Sequence, residues 1–149
     1  ATGVTVVTAR AATGEPVGTT VNAQSSVSLR PPLILVCLAQ DRLTPGAVRE
    51  SGRFAVNILG SHQERHSSRF AAKGDDVRAH EVRFGEGAPG LPVIPDTMAT
   101  ITCRVEATHP AGDHEIVIGE VLSTTVGREE VAPLLFFQGS YRALAEAEA

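Results

Sequence analysis

Tryptophan is absent from the 149-residue chain, and tyrosine and methionine occur once each. Few aromatic plates are therefore available to clamp a ring system. No excess of one charge stands out either. The net charge is -4 and the basic residues are scattered, so neither a phosphate backbone nor an anionic membrane finds a surface to bind, and nucleic acid is excluded as a partner. Only Cys37 and Cys103 are cysteine. They lie in apolar, strand-like segments with no CxxC and no second ligand pair, which reads as reduced core residues of a cytoplasmic protein rather than a disulfide frame or a zinc site. The longest apolar run, Leu33 to Ala39, is too short for a bilayer, and no charged-then-apolar leader precedes Val4. Repeats and linkers are lacking too. The expectation is one domain over residues 1–149, with a core of its own.

What is present reads mainly as strands. "GVTVVTA" (Gly3 to Ala9) is largely β-branched, "TGEP" supplies a turn, and Val17 to Val21 returns. Pro31 and Pro32 bar a helix before "LILVCLA", which reads as a strand buried on both faces. Thr44-Pro45 predicts a helix start with Thr44 as N-cap, closed by Gly52. Phe54 to Leu59 is another strand. Ser61 with Glu64 predicts a capping box opening a helix through Ala71. Lys73 to Pro95 reads as a long irregular excursion. Met98 to His109 and His114 to Val126 form two long strands about a turn at Gly112, and Leu134 to Phe137 a short last one before a helix-prone tail, "ALAEAEA". Six or seven mainly antiparallel strands with two or three short helices describe a mostly β chain folded as a barrel with helices at its rim.

Three motifs invite a function. "GEGAPG" (Gly85 to Gly90) matches GxGxxG, but Pro89, Pro92 and Pro95 forbid the helix that a dinucleotide loop requires. "HQERH" (His62 to His66) puts two histidines on one helical face, yet Glu64 points away from both and no third ligand follows, so no metal is expected. "SSVSL" (Ser25 to Leu29) groups hydroxyls before a strand whose far end leads into a helix N-terminus, a place where a phosphate-bearing ligand can lie; the same hydroxyls can equally satisfy their own turn.

The segments "GVTVVTA", "GTTVNAQSSVSLRPPLILVCLA", "SGRFAVNILG", "SSRFA", "AGDHEIVIGEV" and "PLLFFQGSYRAL" resemble, in order and over nearly the whole chain, the flavin reductase-like, FMN-binding split-barrel family. Its members include the reductase components of two-component flavin-dependent monooxygenases. The resemblance implies a homodimeric enzyme that takes NADH or NADPH, reduces FMN or FAD, and hands the reduced flavin to a partner monooxygenase. It places Thr20, Asn22, Ala23, Gln24, Ser25, Ser26 and Ser28 along the flavin, with Leu38, Ala39 and Gln40 against its ring. Thr44 falls at the phosphate end, with Ser68, Arg69 and Phe70 beside the ribityl phosphate. Gly112, Asp113 and His114 match the family's GDH motif on the nicotinamide side, His114 orienting and Asp113 fixing its tautomer, and Tyr141 lies near the same mouth.

Three positions depart from the family's pattern: Ala23 stands where serine is common, Arg30 where an acid is frequent, and Phe137 where tyrosine is usual. The family's N-terminal helix has no counterpart in residues 1–149. Two other functions fit the residues less well, a flavin carrier or sensor of the same barrel without catalysis, and a barrel for a hydrophobic ligand with no redox chemistry.

Overall fold

A computed structural model describes residues 1–72, 82–88, 90–127 and 130–144. Along these residues the chain forms β1 (Thr2–Gly3), β2 (Thr5–Arg10), β3 (Pro16–Val21), β4 (Gln24–Leu29), β5 (Pro32–Ala39), α1 (Leu43–Ser51), β6 (Arg53–Ile58), a 3₁₀ turn (Ser61–Gln63), α2 (Glu64–Ala71), β7 (Gly85–Gly87), β8 (Leu91–Val93), β9 (Ala99–Ala111), β10 (His114–Val126), β11 (Leu135–Phe137) and β12 (Ser140–Arg142). Seven strands make one antiparallel sheet in the order β3-β2-β6-β9-β10-β5-β4.

The two edge strands, β3 and β4, are consecutive in the chain and joined only through Asn22 and Ala23. Three peptide steps reach at most about 11 Å, so the sheet has to curl until its edges nearly meet. No ladder closes that seam among the described residues; the bond from the Cys37 N–H to the Ala23 carbonyl, at 3.0 Å, continues the β4–β5 pairing up to its edge. The result is a barrel split along one side rather than a closed one.

β2 lies between two cores. Val7 and Ala9 face an interior shared with Val36, Leu38, Phe54, Val56, Cys103 and Val117, while Val4 and Val6 face Leu59, Phe70, Ile94 and Leu134. Alternation along a strand sends neighbours to opposite faces, so both faces of β2 are covered. The strand expected to be buried on both faces, β5, is not. Val36 and Leu38 are buried, whereas Leu33, Leu35 and Cys37 on its other face are half-exposed. Burial in the interior pushes the Cys103 thiol up to about 12.

Several local expectations change. The helix expected with Thr44 as its cap begins two residues earlier, with Arg42 in the cap position and extended backbone; Thr44 and Pro45 sit inside the first turn, where a missing proline N–H breaks no helical bond. Gly52 does close α1, at φ 66°, donating to the Val48 carbonyl at 2.9 Å. The expected capping box of Ser61 and Glu64 is replaced by Gln63, whose Oε1 accepts from the Gly60 N–H at 3.1 Å and whose Nε2 donates to the Pro95 carbonyl at 2.9 Å. The serines of "SSVSL" form β4 rather than a turn, and the Gln138-Gly139 turn adds β12.

Lys73 to Pro95 is not irregular throughout. Its described part holds the β7–β8 hairpin, fixed by a buried polar group: Asn57 Nδ2 donates to the Val6 carbonyl at 2.9 Å and to Thr8 Oγ1 at 3.0 Å, and Asn57 Oδ1 accepts from the Ile94 N–H at 2.9 Å. Residues 73–81, Pro89 of the GxGxxG match and residues 145–149 of the expected tail lie outside the described residues.

Gln63 is 2% exposed and ties the start of α2 to the chain after β8. Gln63→Ala is expected to cost about 1–3 kcal/mol in denaturant unfolding because buried partners lose their bonds, whereas Ser61→Ala, without a cap bond to lose, should stay within about 0.5 kcal/mol.

Candidate active site

Gly112 and Asp113 form a two-residue link between β9 and β10, with Ala111 paired to His114. Gly112 adopts φ 65°, as the first central residue of a tight hairpin does, a conformation that a side chain disfavours. Asp113 is fully exposed and lies 2.7 Å from His114 Nδ1. The hydrogen bond from His114, with its charge second, holds the Asp113 carboxyl below the usual carboxylate value. With Nδ1 engaged, Nε2 is the ring's remaining polar atom.

The end of β5 grips this turn. The Gln40 N–H donates to the Asp113 carbonyl at 2.9 Å, and Gln40 Nε2 donates to the His114 carbonyl at 3.2 Å. Together they shape an open cavity of about 560 Å³ lined by Ala39, Gln40, Asp41, Arg42, Asp113 and His114. Just behind it, the buried carboxylate of Glu115 pairs with Arg49, which pins β10 to α1.

A second cavity, of about 670 Å³, is lined by Glu64, Arg65, Ser68 and Arg69 on α2. Two side chains from outside the helix hold it in place. Thr20 Oγ1 donates to the Ser67 carbonyl at 2.7 Å, and the Tyr141 hydroxyl donates to Ser67 Oγ at 2.8 Å and lies 3.4 Å from Ser68 Oγ. Phe136 meets Tyr141 edge-on, fixing the ring. Burial, followed by the charges of His62 and Arg69, keeps His66 below the ordinary histidine value.

The structure thus brings together Ala39, Gln40, Gly112, Asp113 and His114 in one place and Thr20, Ser68, Arg69 and Tyr141 in another. Leu38, Thr44 and Phe70 are different: all three side chains are closed off, at 0%, 1% and 0% exposure. Leu38 belongs to the barrel core, and Phe70 packs on Phe84. Along the seam, Ser25 and Ser26 are exposed and Ser28 half-buried, but Ser25 Oγ donates to the Ser26 carbonyl at 3.1 Å and Ser28 Oγ accepts from the Arg30 N–H at 3.2 Å, so part of the hydroxyl set is taken up by neighbouring backbone. Asn22 Nδ2 donates to Thr2 Oγ1 at 3.2 Å. Gln24 is half-buried opposite Val36, and the Ala23 carbonyl is held by Cys37.

Four lining residues were not anticipated: Asp41, Arg42, Glu64 and Arg65. The Thr44-Pro45 helix signal drew attention past Asp41 and Arg42. Glu64 and Arg65 belong to the "HQERH" stretch, whose spacing speaks only to metal ligation.

The donor chemistry fits a flavin nucleotide and a nicotinamide nucleotide: cationic and hydroxyl groups at α2 suit a phosphate, and the open cavity at Gln40 and His114 suits a planar ring with amide and carbonyl edges. Residues 1–145 match the Flavin reductase like domain, and the chain belongs to that family. Flavin reductase (NADH) of Kitasatospora aureofaciens is 47% identical over 142 residues, covering 94% of this chain and 74% of that protein. The reductase subunit HsaB of a flavin-dependent monooxygenase from Rhodococcus jostii (strain RHA1) is 36% identical over 140 residues, covering 94% and 70%. Among solved structures, the NADH:FAD oxidoreductase SgcE6 of Streptomyces globisporus C-1027, in complex with NAD and FAD fragments, has a TM-score of 0.84 at 35% identity and covers 97% of this chain and 86% of that one.

A carboxyl whose folded value is depressed adds stability above its unfolded value and loses it as pH falls through the folded one. At an exposed aspartate, screening keeps the effect small. The shift itself is measurable: in His114→Ala the Asp113 carboxyl is expected to titrate closer to an ordinary aspartate, higher than in the wild type, by carbon-detected NMR. An unchanged Asp113 titration would contradict the pairing.

Proposed function

We propose that the protein is an NAD(P)H:flavin oxidoreductase that passes hydride from NADH or NADPH to FMN or FAD and supplies the reduced flavin to a separate monooxygenase. The observation that carries this reading is the gathering of Gln40 with the Gly112-Asp113-His114 turn in one cavity, on a chain of the flavin reductase family. When bound, flavin and nicotinamide supply the redox chemistry themselves, so the protein's task is to stack two rings with reacting atoms about 3–3.5 Å apart.

On this reading each residue has a physical duty. His114, its Nδ1 held by Asp113, turns Nε2 toward the nicotinamide nucleotide and orients it. Gln40 and Ala39 form the ring-side wall. Backbone and side-chain N–H groups from Ala23 to Ser26 meet the negative charge that reduction places near one edge of the flavin. Ser68 and Arg69 receive the phosphate, and Tyr141 and Thr20 keep α2 where it can do so.

The proposal extends to a homodimer with each flavin site near the subunit interface. What supports it is an apolar outer face, where half-exposed Leu35 stands opposite Ile118 and half-exposed Cys37 opposite Ile116. A face of this kind calls for a cover, and a second copy provides a self-complementary one. Two free cysteines suit a reducing cytoplasm, and no helix among the described residues is long and apolar enough to cross a membrane.

Stopped-flow oxidation of NADH and NADPH, each with FMN, FAD and riboflavin, tests the activity; protein that accelerates none of these reactions is not a reductase. His114→Ala should raise the KM for NAD(P)H or slow reduction by about 10-fold or more, each factor of ten being about 1.4 kcal/mol, while flavin affinity hardly changes. Light scattering should give the mass of a dimer at micromolar concentration, and an active monomer would exclude the proposed assembly.

A further inference from the structure

One side chain links the cavity at His114 to the helix that lines the other. Arg42 occupies the cap position of α1 and lines the cavity that holds Asp113 and His114. From there its guanidinium crosses to the far end of α2, donating to the Ala71 carbonyl at 2.8 Å and to the Ala72 carbonyl. Its Nε lies 3.8 Å from Asp41, and the side chain is only 17% exposed. The last carbonyls of a helix have no partner within it and carry the negative end of its dipole, so a cation there both satisfies and attracts them. Ser68 and Arg69, which line the second cavity, belong to the last turn of α2.

The ring side has an anchor of its own. Gln40 holds Asp113 and His114 through two hydrogen bonds that do not involve Arg42. Removing Arg42 therefore frees the α2 end while leaving the turn in place. A ligand confined to the ring cavity loses only the Arg42 part of its wall, whereas one that reaches both cavities also loses the placement of α2.

We propose that Arg42 is a positioning residue that sets the phosphate-side cavity of α2 in register with the ring-side cavity at His114, making flavin affinity depend on the phosphate. The inference rests on the flavin-reductase reading above. Arg42 touches neither phosphate nor ring in this role; it acts through the backbone of Ala71 and Ala72.

The test compares FMN with riboflavin, which lacks the phosphate, by quenching of flavin fluorescence in the wild type, Arg42→Met and Arg42→Lys, with thermal unfolding alongside. Arg42→Met keeps the aliphatic stem and loses the donors. Its Kd for FMN is expected to rise by about 10-fold or more and that for riboflavin by less than about 2-fold, with Arg42→Lys, which retains a charge and a donor, recovering part of the loss. Equal weakening of both flavins would make Arg42 a general scaffold residue and overturn the proposal, as would unchanged FMN affinity. Should Arg42→Met fail to fold, Arg42→Lys is read on the same ratio: a shift of about 3-fold supports the role and no shift overturns it. Wild-type protein that binds neither flavin removes the reductase reading and this inference with it. Wild-type binding of both, with an unaltered ratio in the variants, removes the Arg42 role alone.

Discussion

Ala39, His114 and Ala111 stand abreast on three adjacent strands, β5, β10 and β9, and that row decides where the site forms. It is the last paired row before the β9–β10 turn, so the backbone just beyond it on β5 would be left without ladder partners. Gln40 resolves this by bonding to the carbonyls of Asp113 and His114, which ties the loop leading into α1 to the turn. Had the register slipped by one residue, His114 would face the barrel interior with Val117 and its neighbours. Glu115 does face inward, and its pairing with Arg49 shows what that position demands of a charged group.

From that row the rest of the arrangement follows by short links. The two-residue connection from β3 to β4 curls the sheet and lays Asn22 to Ser28 along the seam. α2 then sits over the β3 edge, secured by Thr20, Tyr141 and Arg42. The buried Asn57 group ties the end of the β7–β8 hairpin to β2 and β6. Long paired strands thus present the cavity at Gln40 and His114, while a short helix held by Thr20, Tyr141 and Arg42 presents the cavity at Ser68 and Arg69.

Much of this was legible in the amino acids. The long β9–β10 hairpin announced itself through alternation and through Gly112, and the glycine that ends α1 is a conformational necessity at φ 66°. What escaped reading has physical causes. β4 is rich in serine, which favours turns in isolation, and it becomes a strand only because β5 offers a ladder. β7 and β8 contain glycine and proline and exist by virtue of the Asn57 bonds, which link residues distant in sequence. The burial of Leu38, Thr44 and Phe70 depends on the packing of elements around them, which their identity alone does not announce. Arg42 was invisible for the same reason: its hydrogen bonds to α2 go to two alanine carbonyls, and no side-chain pattern reveals them.

The central claim is that Gln40 holds the Asp113–His114 turn in the geometry required for hydride delivery. Anaerobic single-turnover reduction of bound flavin by NADH in Gln40→Ala measures this most directly. That variant keeps the backbone bond to Asp113 and loses the side-chain bond to His114. The account predicts that the reduction rate at saturating NADH falls by about 10-fold, equivalent to about 1.4 kcal/mol of barrier, with the fold intact. A wild-type rate in a variant that binds flavin and NADH normally would contradict it.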